Sequence, residues 1–210
     1  MNENDVRDSI VALGRSLYDR GLAHGSAGNI SVKLPDGWLV TPTGSCLGRL
    51  DPARLSRVDT SGTVVSGDAP TKEILLHSVM YEERPTCEAV VHLHSVHAVA
   101  LSCIDGLDSK DAFPPITAYS IMQLGAVALV PYYAPGEDAL ATALRRVATR
   151  HHAVLLSNHG PVVAGSSLDA AVNAIEELEQ TAKLLLLLQG HSPHYLTPRQ
   201  VLELNRRFKS

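Results

Sequence analysis

The hexapeptide Ala89-Val90-Val91-His92-Leu93-His94 is the most informative stretch of this chain. Its apolar residues predict a buried strand, and the alternation of side chains along a strand places His92 and His94 on the same side of a sheet. Two imidazoles at the end of a buried strand are well placed to bind one metal ion. The spacing alone leaves open that both are ordinary packed histidines, because histidine is often partly buried without being a ligand.

A second apolar segment also leads to a histidine. Ala153–Leu156 predicts another short strand, which is followed by His159 and by Gly160, a residue that lets the backbone turn sharply. Three neutral imidazoles, from His92, His94 and His159, would leave an open coordination position, which distinguishes a catalytic zinc site from a closed structural one. A purely structural zinc would normally have four closed ligands that include cysteines, and no cysteine here is suitably spaced.

The composition indicates one globular domain. With 210 residues and 45% hydrophobic content, the chain is long enough for one sizeable core and short for two, which predicts a single domain over residues 1–210. Its 18 Lys and Arg against 22 Asp and Glu give a net charge of -4, which argues against a nucleic-acid surface or a polybasic membrane patch. The N-terminus lacks the pattern of a signal peptide, and no apolar run approaches the roughly 18 residues of a membrane span. Three cysteines without CxxC spacing fit a reducing cytoplasm.

Hydrophobic periodicity predicts helices that alternate with strands. A first helix is expected through Val6 and Leu17, after the cap candidates Asn4 and Asp5, and a β-hairpin is expected over residues 29–41. Interleaved helices and strands predict a layered α/β architecture, and the hairpin predicts a sheet that is at least partly antiparallel. Further helices are expected over residues 72–83, 96–101 and 137–149, and further strands over residues 125–130, 153–156 and 162–163.

A long helix is expected to open at Ser167 or Asp169 and to run into five successive leucines at residues 184–188. These leucines place apolar side chains on every face of the last turn, which is more than one side of a surface helix requires. Either another subunit or neighbouring helices of the same chain must cover them.

Three segments are rich in groups that bind anions. Gly25-Ser26-Ala27-Gly28-Asn29 and Thr41-Pro42-Thr43-Gly44-Ser45 can bring backbone N–H groups and hydroxyls close to a phosphate, although either is also typical of an ordinary turn. In the third segment, Pro70-Thr71-Lys72-Glu73, a helix start combines its amides with the Thr71 hydroxyl and the Lys72 ammonium. The alternative there is an N-cap threonine followed by polar first-turn residues.

Glu73 is the best candidate for an acid–base residue. Close to a metal ion it could ligate the open position or accept a proton when substrate displaces it. A glutamate in a first helical turn is also common because it complements the helix dipole. His77 lies one turn later, where a packed or surface role competes with a role behind Glu73. The remaining histidines, including His24, have no strand-end position and are assigned no role.

Five motifs occur in the order that they have in the class II aldolase/adducin family, and they resemble that family over nearly the whole chain. They are Ser26-Ala27-Gly28-Asn29, Thr41-Pro42-Thr43-Gly44, Glu73 with His77, Val91-His92-Leu93-His94, and Asn158-His159-Gly160. The resemblance implies a class II aldolase-like α/β fold, a three-layer α/β/α sandwich around a mainly antiparallel central sheet. It also implies a homotetramer of C4 type with its active sites at subunit interfaces.

The resemblance further implies roles for individual residues. One divalent ion per subunit, with zinc preferred, would be bound by His92, His94 and His159, with Glu73 as acid/base or displaceable fourth ligand. Tyr119 falls near the position of a tyrosine acid in the family, and a buried core tyrosine is an equally good interpretation. Contacts to a substrate phosphate are implied for Ser26, Gly28, Asn29, Thr43 and Gly44.

One departure within the family narrows the implied substrate. Where the sugar-phosphate aldolases have two serines before the glutamate, this chain has Thr71 and Lys72. Thr71 could still contact a phosphate, while Lys72 could meet a carboxylate. The segment is most similar to the 3-oxo-tetronate 4-phosphate decarboxylase branch, which implies a cytoplasmic, metal-dependent lyase that releases CO2 and dihydroxyacetone phosphate in four-carbon sugar-acid catabolism. The alternatives are a sugar-phosphate aldolase or 4-epimerase of the same family, and a non-catalytic, adducin-like interaction module.

Overall fold

The chain folds around one continuous β-sheet that is flanked by helices. A computed structural model describes residues 2–208, so the expected domain of residues 1–210 includes three residues, Met1, Lys209 and Ser210, that lie outside the described part. The strands are β1 (Asn29–Leu34), β2 (Gly37–Val40), β3 (Ser56–Asp59), β4 (Val64–Ser66), β5 (Ala89–His92), β6 (Ala128–Val130), β7 (Ala153–Leu156) and β8 (Gly160–Gly165). The α-helices are α1 (Glu3–Asp19), α2 (Ile74–Glu83), α3 (Val96–Ser102), α4 (Ala118–Leu124), α5 (Asp138–Ala148), α6 (Leu168–Leu187) and α7 (Pro198–Phe208).

The strands form a single mixed sheet in the order β4-β3-β2-β1-β5-β8-β7-β6. Neighbouring strands are antiparallel except for β6 and β7, which run parallel. The predicted α/β class and the partly antiparallel sheet are therefore confirmed. Because β5 lies between β1 and β8, the strand that ends in His92 is hydrogen-bonded along both edges.

Alternate residues of β5 pack into two separate hydrophobic cores. Val91 belongs to a core that contains residues of α1, α3 and α6, whereas Val90 belongs to a second core built with α2 and α5. Successive residues of a strand point to opposite faces, so helices cover the sheet on both sides. Burial of each valine contributes roughly 1.5–3 kcal/mol, and the two cores together hold β5 in place.

Two predicted helix starts are wrong. The N-cap of α1 is Asn2 rather than Asn4 or Asp5. The Asn2 side chain accepts a hydrogen bond from the Asp5 backbone N–H at 2.9 Å, and the Asp5 carboxylate accepts one from the Asn2 N–H at 3.0 Å. This reciprocal pair satisfies two amides that have no partner inside the helix. α2 begins at Ile74 rather than at residue 72, and its N-cap is Glu73.

Four elements, β3, β4, α4 and α7, have no counterpart in the sequence prediction. β4 has only three residues, all of them exposed, which is too short for a clear strand pattern. α7 does have apolar residues at helical spacing, Val201, Leu204 and Phe208, which the sequence prediction did not use. α4 starts after the N-cap Thr117, whose side chain accepts a hydrogen bond from Ser120 N at 3.0 Å. The strand predicted over residues 125–130 is shorter, because Gly125 is the C-cap of α4 and β6 begins at Ala128.

The leucines at the end of α6 are only partly covered within the chain. Leu185 and Leu186 pack against the first core, whereas Leu187 is 65% exposed. Neighbouring helices therefore account for part of the cluster and leave one side of it open. None of the helices within residues 2–208, α6 included, has the length and apolar content needed to cross a lipid bilayer.

Candidate metal centre

Three histidines from two distant segments meet beside the end of β5. His92 is the last residue of β5, His94 lies two residues beyond it, and His159 immediately precedes β8. Their ring centroids form a triangle with sides of 4.9 Å. His92 is fully buried and His159 is 7% exposed. The structure therefore brings together the three histidines that the sequence singles out as metal ligands.

The Glu73 carboxylate faces the same point. Its Oε1 atom lies 2.9 Å from His159 Nε2, and its Oε2 atom lies 3.4 Å from His92 Nε2. One potential ligand atom from each of Glu73, His92, His94 and His159 lies within 4.8 Å of all the others. Three imidazoles and a carboxylate are a donor set that suits zinc and several other divalent transition metals.

Several of these donor atoms have no hydrogen-bond partner. Glu73 Oε1 and both ring nitrogens of His159 are buried without one. Glu73 Oε1 and His159 Nε2 lie 2.9 Å apart as an ion-pair contact, but the two atoms do not meet the geometry of a hydrogen bond. Buried polar atoms are nearly always partnered. Unpartnered donors that converge on one point therefore fit a bound cation, and the residues present suit a divalent ion.

A backbone carbonyl orients His92 for metal binding. His92 Nδ1 lies 2.8 Å from the Pro161 carbonyl oxygen. Because a carbonyl only accepts, Nδ1 carries the hydrogen and the lone pair is at Nε2, which faces the centre. His92 Nε2 and His94 Nε2 are 3.0 Å apart. This is close to the roughly 3.3 Å expected between two nitrogens bound to one tetrahedral zinc ion at about 2.0–2.1 Å.

The protonation states of the site also favour a cation. Burial raises the pKa of Glu73, but the contacts with His159 and His92 together lower it by more than burial raises it. The pKa therefore lies well below that of an ordinary glutamate, and the carboxylate stays ionised. Burial, followed by the proximity of His92 and His159, lowers the pKa of His94 to about 4. Metal binding requires neutral imidazole and ionised carboxylate. Glu73 and His94 are in these forms at neutral pH.

The centre borders a cavity of about 560 Å³. A cavity of this size can hold a small organic substrate next to the ion. Asn158, in its wall, has a φ of 53° and is the only residue other than glycine with a positive φ within residues 2–208. Such backbone strain is found most often at functional sites. The side chains that line the cavity with Asn158 include His94, His159, His24 and Tyr132.

The three predicted anion-binding segments lie next to one another. Thr41 is joined to β1: its N–H donates to Ile30 O at 3.0 Å, and its hydroxyl oxygen accepts from Ile30 N at 3.1 Å. The loop that follows is joined to the segment before α2, because Thr43 N donates to Ala69 O at 2.9 Å and Thr71 N donates to Thr41 O at 3.2 Å. The start of β1, the loop after β2 and the segment before α2 therefore form one hydrogen-bonded unit.

The residues of this unit have different environments. The buried Thr71 hydroxyl accepts from Glu73 N at 3.2 Å, so its own hydrogen remains available to a ligand. Asn29 is buried and its Nδ2 donates to Glu73 Oε2 at 2.9 Å. A Cβ atom added to Gly28 would lie 3.0 Å from His92 O, which shows how closely this loop approaches the centre. The exposed members are Ser26, Thr43, Gly44 and Lys72.

Tyr119 is not among the residues that line the cavity at the metal centre. It lies in α4, is 58% exposed, and lines a second cavity of about 720 Å³ together with residues of α6. Val96 borders both cavities. Within one copy of the chain, Tyr119 is therefore a neighbour of the centre and does not form part of its wall.

Two further histidines lie close to the centre: His24, to which the sequence assigns no role, and His77, for which it leaves open a packed role, a surface role or a role behind Glu73. His24 lines its cavity. His77 is 1% exposed, and its Nε2 lies 2.5 Å from Asn29 Oδ1. The position of His24, one residue before the loop that leads to Asn29, is a signal that could have pointed to it. No sequence pattern indicates the contact between His77 and Asn29, which depends on the packing of α2 against β1.

Comparisons with known proteins agree with this arrangement. Residues 8–186 match the family described as the class II aldolase and adducin N-terminal domain. The chain is 51% identical to a 3-oxo-tetronate 4-phosphate decarboxylase of Escherichia coli O6:H1. The alignment spans 203 residues and covers 96% of each of the two chains. It is 36% identical to an L-fuculose phosphate aldolase of Methanocaldococcus jannaschii, over 86% of this chain and 96% of that one. The solved structure of YgbL from Klebsiella pneumoniae superimposes with a TM-score of 0.95 at 50% identity, over 97% of this chain and 99% of the other.

The buried imidazoles predict how the stability of the metal-free protein depends on pH. Burial lowers the pKa of His77 to about 3, from an ordinary value of 6.5. Between these values the unfolded chain binds a proton that the folded chain does not, so the free energy of unfolding falls as the pH falls below about 6.5. We expect a slope that approaches about 1.4 kcal/mol per pH unit for this one group, with His94 adding to it. Urea denaturation in the presence of a chelator, at several pH values between 4 and 8, measures the slope.

Two variants control this measurement. His77→Gln removes the buried titrating group, so it should flatten the dependence on pH. His191→Gln removes an exposed histidine and should leave the dependence unchanged. A slope that is the same in His77→Gln as in the unmodified protein would contradict the expectation.

Proposed function

The chain belongs to the class II aldolase and adducin family, and we propose that it is a metal-dependent lyase that converts 3-oxo-tetronate 4-phosphate into dihydroxyacetone phosphate and CO2. The strongest support is its similarity to 3-oxo-tetronate 4-phosphate decarboxylases, at 46–51% identity in five relatives. The centre built from Glu73, His92, His94 and His159 supports the catalytic role independently. Its substrate is then a phosphorylated four-carbon sugar acid, with no role for nucleic acid or membrane.

The reaction releases CO2 from a 3-oxo acid. The C1–C2 bond breaks, its electron pair moves toward the C3 ketone oxygen to give an enediolate, and a proton from solvent finally reaches C2. His92, His94 and His159 would hold a divalent ion, which when bound would act as a Lewis acid toward the negative charge that develops on the ketone oxygen. The retro-aldol cleavage of related sugar phosphates uses the same electron flow, with an aldehyde in place of CO2 as the leaving fragment.

Glu73 is the side chain best placed to handle the proton. Its contacts with His159 and His92 keep its pKa well below the ordinary value, so it is ionised at neutral pH. It must therefore take up a proton, from solvent or from the substrate, before it can deliver one to C2. Its Oε1 atom, which has no hydrogen-bond partner, is available for this transfer or for the ion. Tyr119 is the alternative proton donor, and in that role it would serve the site from outside the cavity wall.

The hydrogen-bonded unit around Thr41 would bind the two anionic ends of the substrate. We assign the phosphate to the backbone amides and hydroxyls of Ser26, Gly28, Asn29, Thr43, Gly44 and Thr71. Lys72 is exposed next to Glu73 and would meet the carboxylate that leaves as CO2. Its contact must orient this carboxylate without holding it tightly, because stabilising the ground state would slow the loss of CO2.

The alternatives have less support. Sugar-phosphate aldolases of the family are more distant from this chain, at 31–36% identity. A non-catalytic, adducin-like interaction module would have no need for four converging ligand groups with unpartnered atoms. A decarboxylase is therefore the function that the site and the relatives support best.

The finer structural assignments belong to the same proposal. We assign the fold as a three-layer α/β/α sandwich that forms one domain over residues 1–210, and zinc as the metal, one ion per subunit. Three free cysteines support a reducing cytoplasm as the location. Three exposed apolar side chains support a homotetramer. Val96 and Tyr119 line the second cavity, and Leu187 is the last residue of α6. A neighbouring copy that covers them would place Tyr119 at a subunit interface.

A product assay tests the proposed reaction. Zinc-loaded protein incubated with 3-oxo-tetronate 4-phosphate should release CO2 and dihydroxyacetone phosphate in equal amounts, measured by a coupled dehydrogenase and by trapped carbonate. Glu73→Gln should lower kcat by roughly 10²–10⁴-fold, because it removes the acid–base group. Release of an aldehyde from L-fuculose 1-phosphate, with no CO2 from the 3-oxo acid, would instead identify an aldolase.

The role of Lys72 is tested by Lys72→Ser. Loss of one hydrogen bond to a charged group costs about 1.5–3 kcal/mol, so kcat/KM for the 3-oxo acid should fall by roughly 10–100-fold while the zinc content stays the same. Lys110→Ser, which removes an exposed lysine from a loop, is the matched control and should leave kcat/KM unchanged. An unchanged kcat/KM in Lys72→Ser would exclude the proposed carboxylate contact.

A further inference from the structure

A continuous line of hydrogen bonds leads from the interior of the second core to Glu73. Tyr81 OH lies 2.7 Å from Ser31 Oγ, and Ser31 Oγ lies 2.6 Å from His77 Nδ1. His77 Nε2 lies 2.5 Å from Asn29 Oδ1, and Asn29 Nδ2 lies 2.9 Å from Glu73 Oε2. His77 and Asn29 each contact their two neighbours through two different atoms, and the Ser31 hydroxyl oxygen contacts both of its neighbours, so the five groups form one chain from end to end.

The direction of every hydrogen bond follows from the Glu73 end. The ionised Glu73 carboxylate only accepts, so Asn29 must present its amide NH2 to it. The amide oxygen of Asn29 therefore faces His77, and because this oxygen only accepts, His77 Nε2 carries the hydrogen. In a neutral imidazole the other nitrogen then has the lone pair, so Ser31 donates to His77 Nδ1. The Ser31 oxygen in turn accepts from the Tyr81 hydroxyl. All four bonds donate toward Glu73.

The line is sealed from solvent. Asn29, Ser31, His77 and Tyr81 are between 1% and 6% exposed. Trp38 stacks on the Tyr81 ring, with a centroid distance of 5.5 Å and an interplanar angle of 10°. Burial keeps the pKa of His77 low and raises the pKa of Tyr81, so both side chains are neutral near pH 7. In a dry environment each hydrogen bond is stronger and polarises the next one.

The two oxygens of Glu73 have different surroundings as a result. Oε2 accepts the hydrogen bond from Asn29, whereas Oε1 has no hydrogen-bond partner. A carboxylate held by one oxygen has its rotation restricted, which directs the other oxygen toward the point where the histidines converge. Asn29 can give this support only while its amide is held in one orientation, and His77 is the group that holds it.

We propose that Tyr81, Ser31 and His77 are positioning residues that act through Asn29 to hold Glu73 Oε2 and to present Glu73 Oε1 to the ion and the substrate. The kinetic consequence rests on the proposed lyase function, whereas the direction of the hydrogen bonds and the effect on metal affinity do not. The competing explanation is a satisfied polar core that only stabilises the fold.

A pair of near-isosteric variants separates these explanations. The amide nitrogen of glutamine can take the place of imidazole Nε2, so His77→Gln retains a donor to Asn29. The shorter side chain in His77→Asn places its amide nitrogen only at the position of imidazole Nδ1, so this variant has no donor to Asn29 Oδ1. Val79→Ala, a buried truncation in the same helix outside the line, is the control for loss of stability alone. All three proteins, together with the unmodified one, are compared for Tm, zinc Kd, kcat and KM.

If the line positions Glu73, His77→Asn should bind zinc more weakly than His77→Gln, and its kcat should be lower, by roughly 10–100-fold in each case. KM should change little, and Val79→Ala should retain zinc affinity and kcat even at an equal loss of Tm. Equal zinc affinity in the two His77 variants would overturn the proposal. Failure of the unmodified protein to release CO2 would refute the proposed function alone, because the zinc affinities still decide the positioning role.

Nuclear magnetic resonance tests the direction of the line without any substrate. In protein labelled with 15N at histidine, the resonance that disappears in His77→Gln belongs to His77. Long-range 1H–15N correlation spectra of the zinc-loaded protein near pH 7 should show it as a neutral ring with hydrogen on Nε2. A neutral ring with hydrogen on Nδ1 would reverse the Asn29 amide, and a doubly protonated ring would reverse the hydrogen bond from Ser31. Either result would overturn the proposal.

Discussion

The antiparallel pairing of β5 with β1 and β8 is the constraint on which the rest of the structure depends. Its register places Asn29 opposite His92 on one side and Val162 opposite His92 on the other. A shift of one residue would turn every side chain of β5 to the other face of the sheet. The two hydrophobic cores that receive Val90 and Val91 prevent such a shift, so ordinary apolar packing determines where His92 points.

Without a bound cation, the negative charge of Glu73 at the centre is only partly compensated by the protein. An ionised carboxylate in the interior costs several kcal/mol unless it is paired or fully hydrogen-bonded. Glu73 has one hydrogen bond, from Asn29, and its other close contacts are with His92 and His159, whose ring nitrogens face the same centre. A divalent ion among the imidazoles would supply the missing charge. The same reasoning explains why polar side chains such as Asn29 and His77 are buried behind Glu73, where apolar residues would give a simpler core.

Much of the fold and of the centre could be predicted from the sequence, because the signals were local. The apolar strands before His92 and His159 marked the ligand positions, and the first long helices followed from their periodicity. Strand pairing and the link from His77 to Asn29 depend on contacts between residues far apart in sequence, which no local pattern specifies. The edge strand β4 has only three residues, all exposed, and so has little hydrophobic signal. Helix α7 has apolar residues at helical spacing, a local signal that the prediction did not use. The position of Tyr119 at the second cavity depends on the helix α4, which the sequence prediction did not include.

The most direct test is X-ray absorption spectroscopy at the zinc edge of the zinc-loaded protein. We expect a single class of site with about three imidazole nitrogens at about 2.0–2.1 Å and the remaining ligands oxygen. In His159→Ala one imidazole should be lost from the spectrum, and the protein should remain folded. A spectrum with sulfur ligands, or one that is unchanged in His159→Ala, would show that the ion is bound elsewhere and would contradict the assignment of the centre.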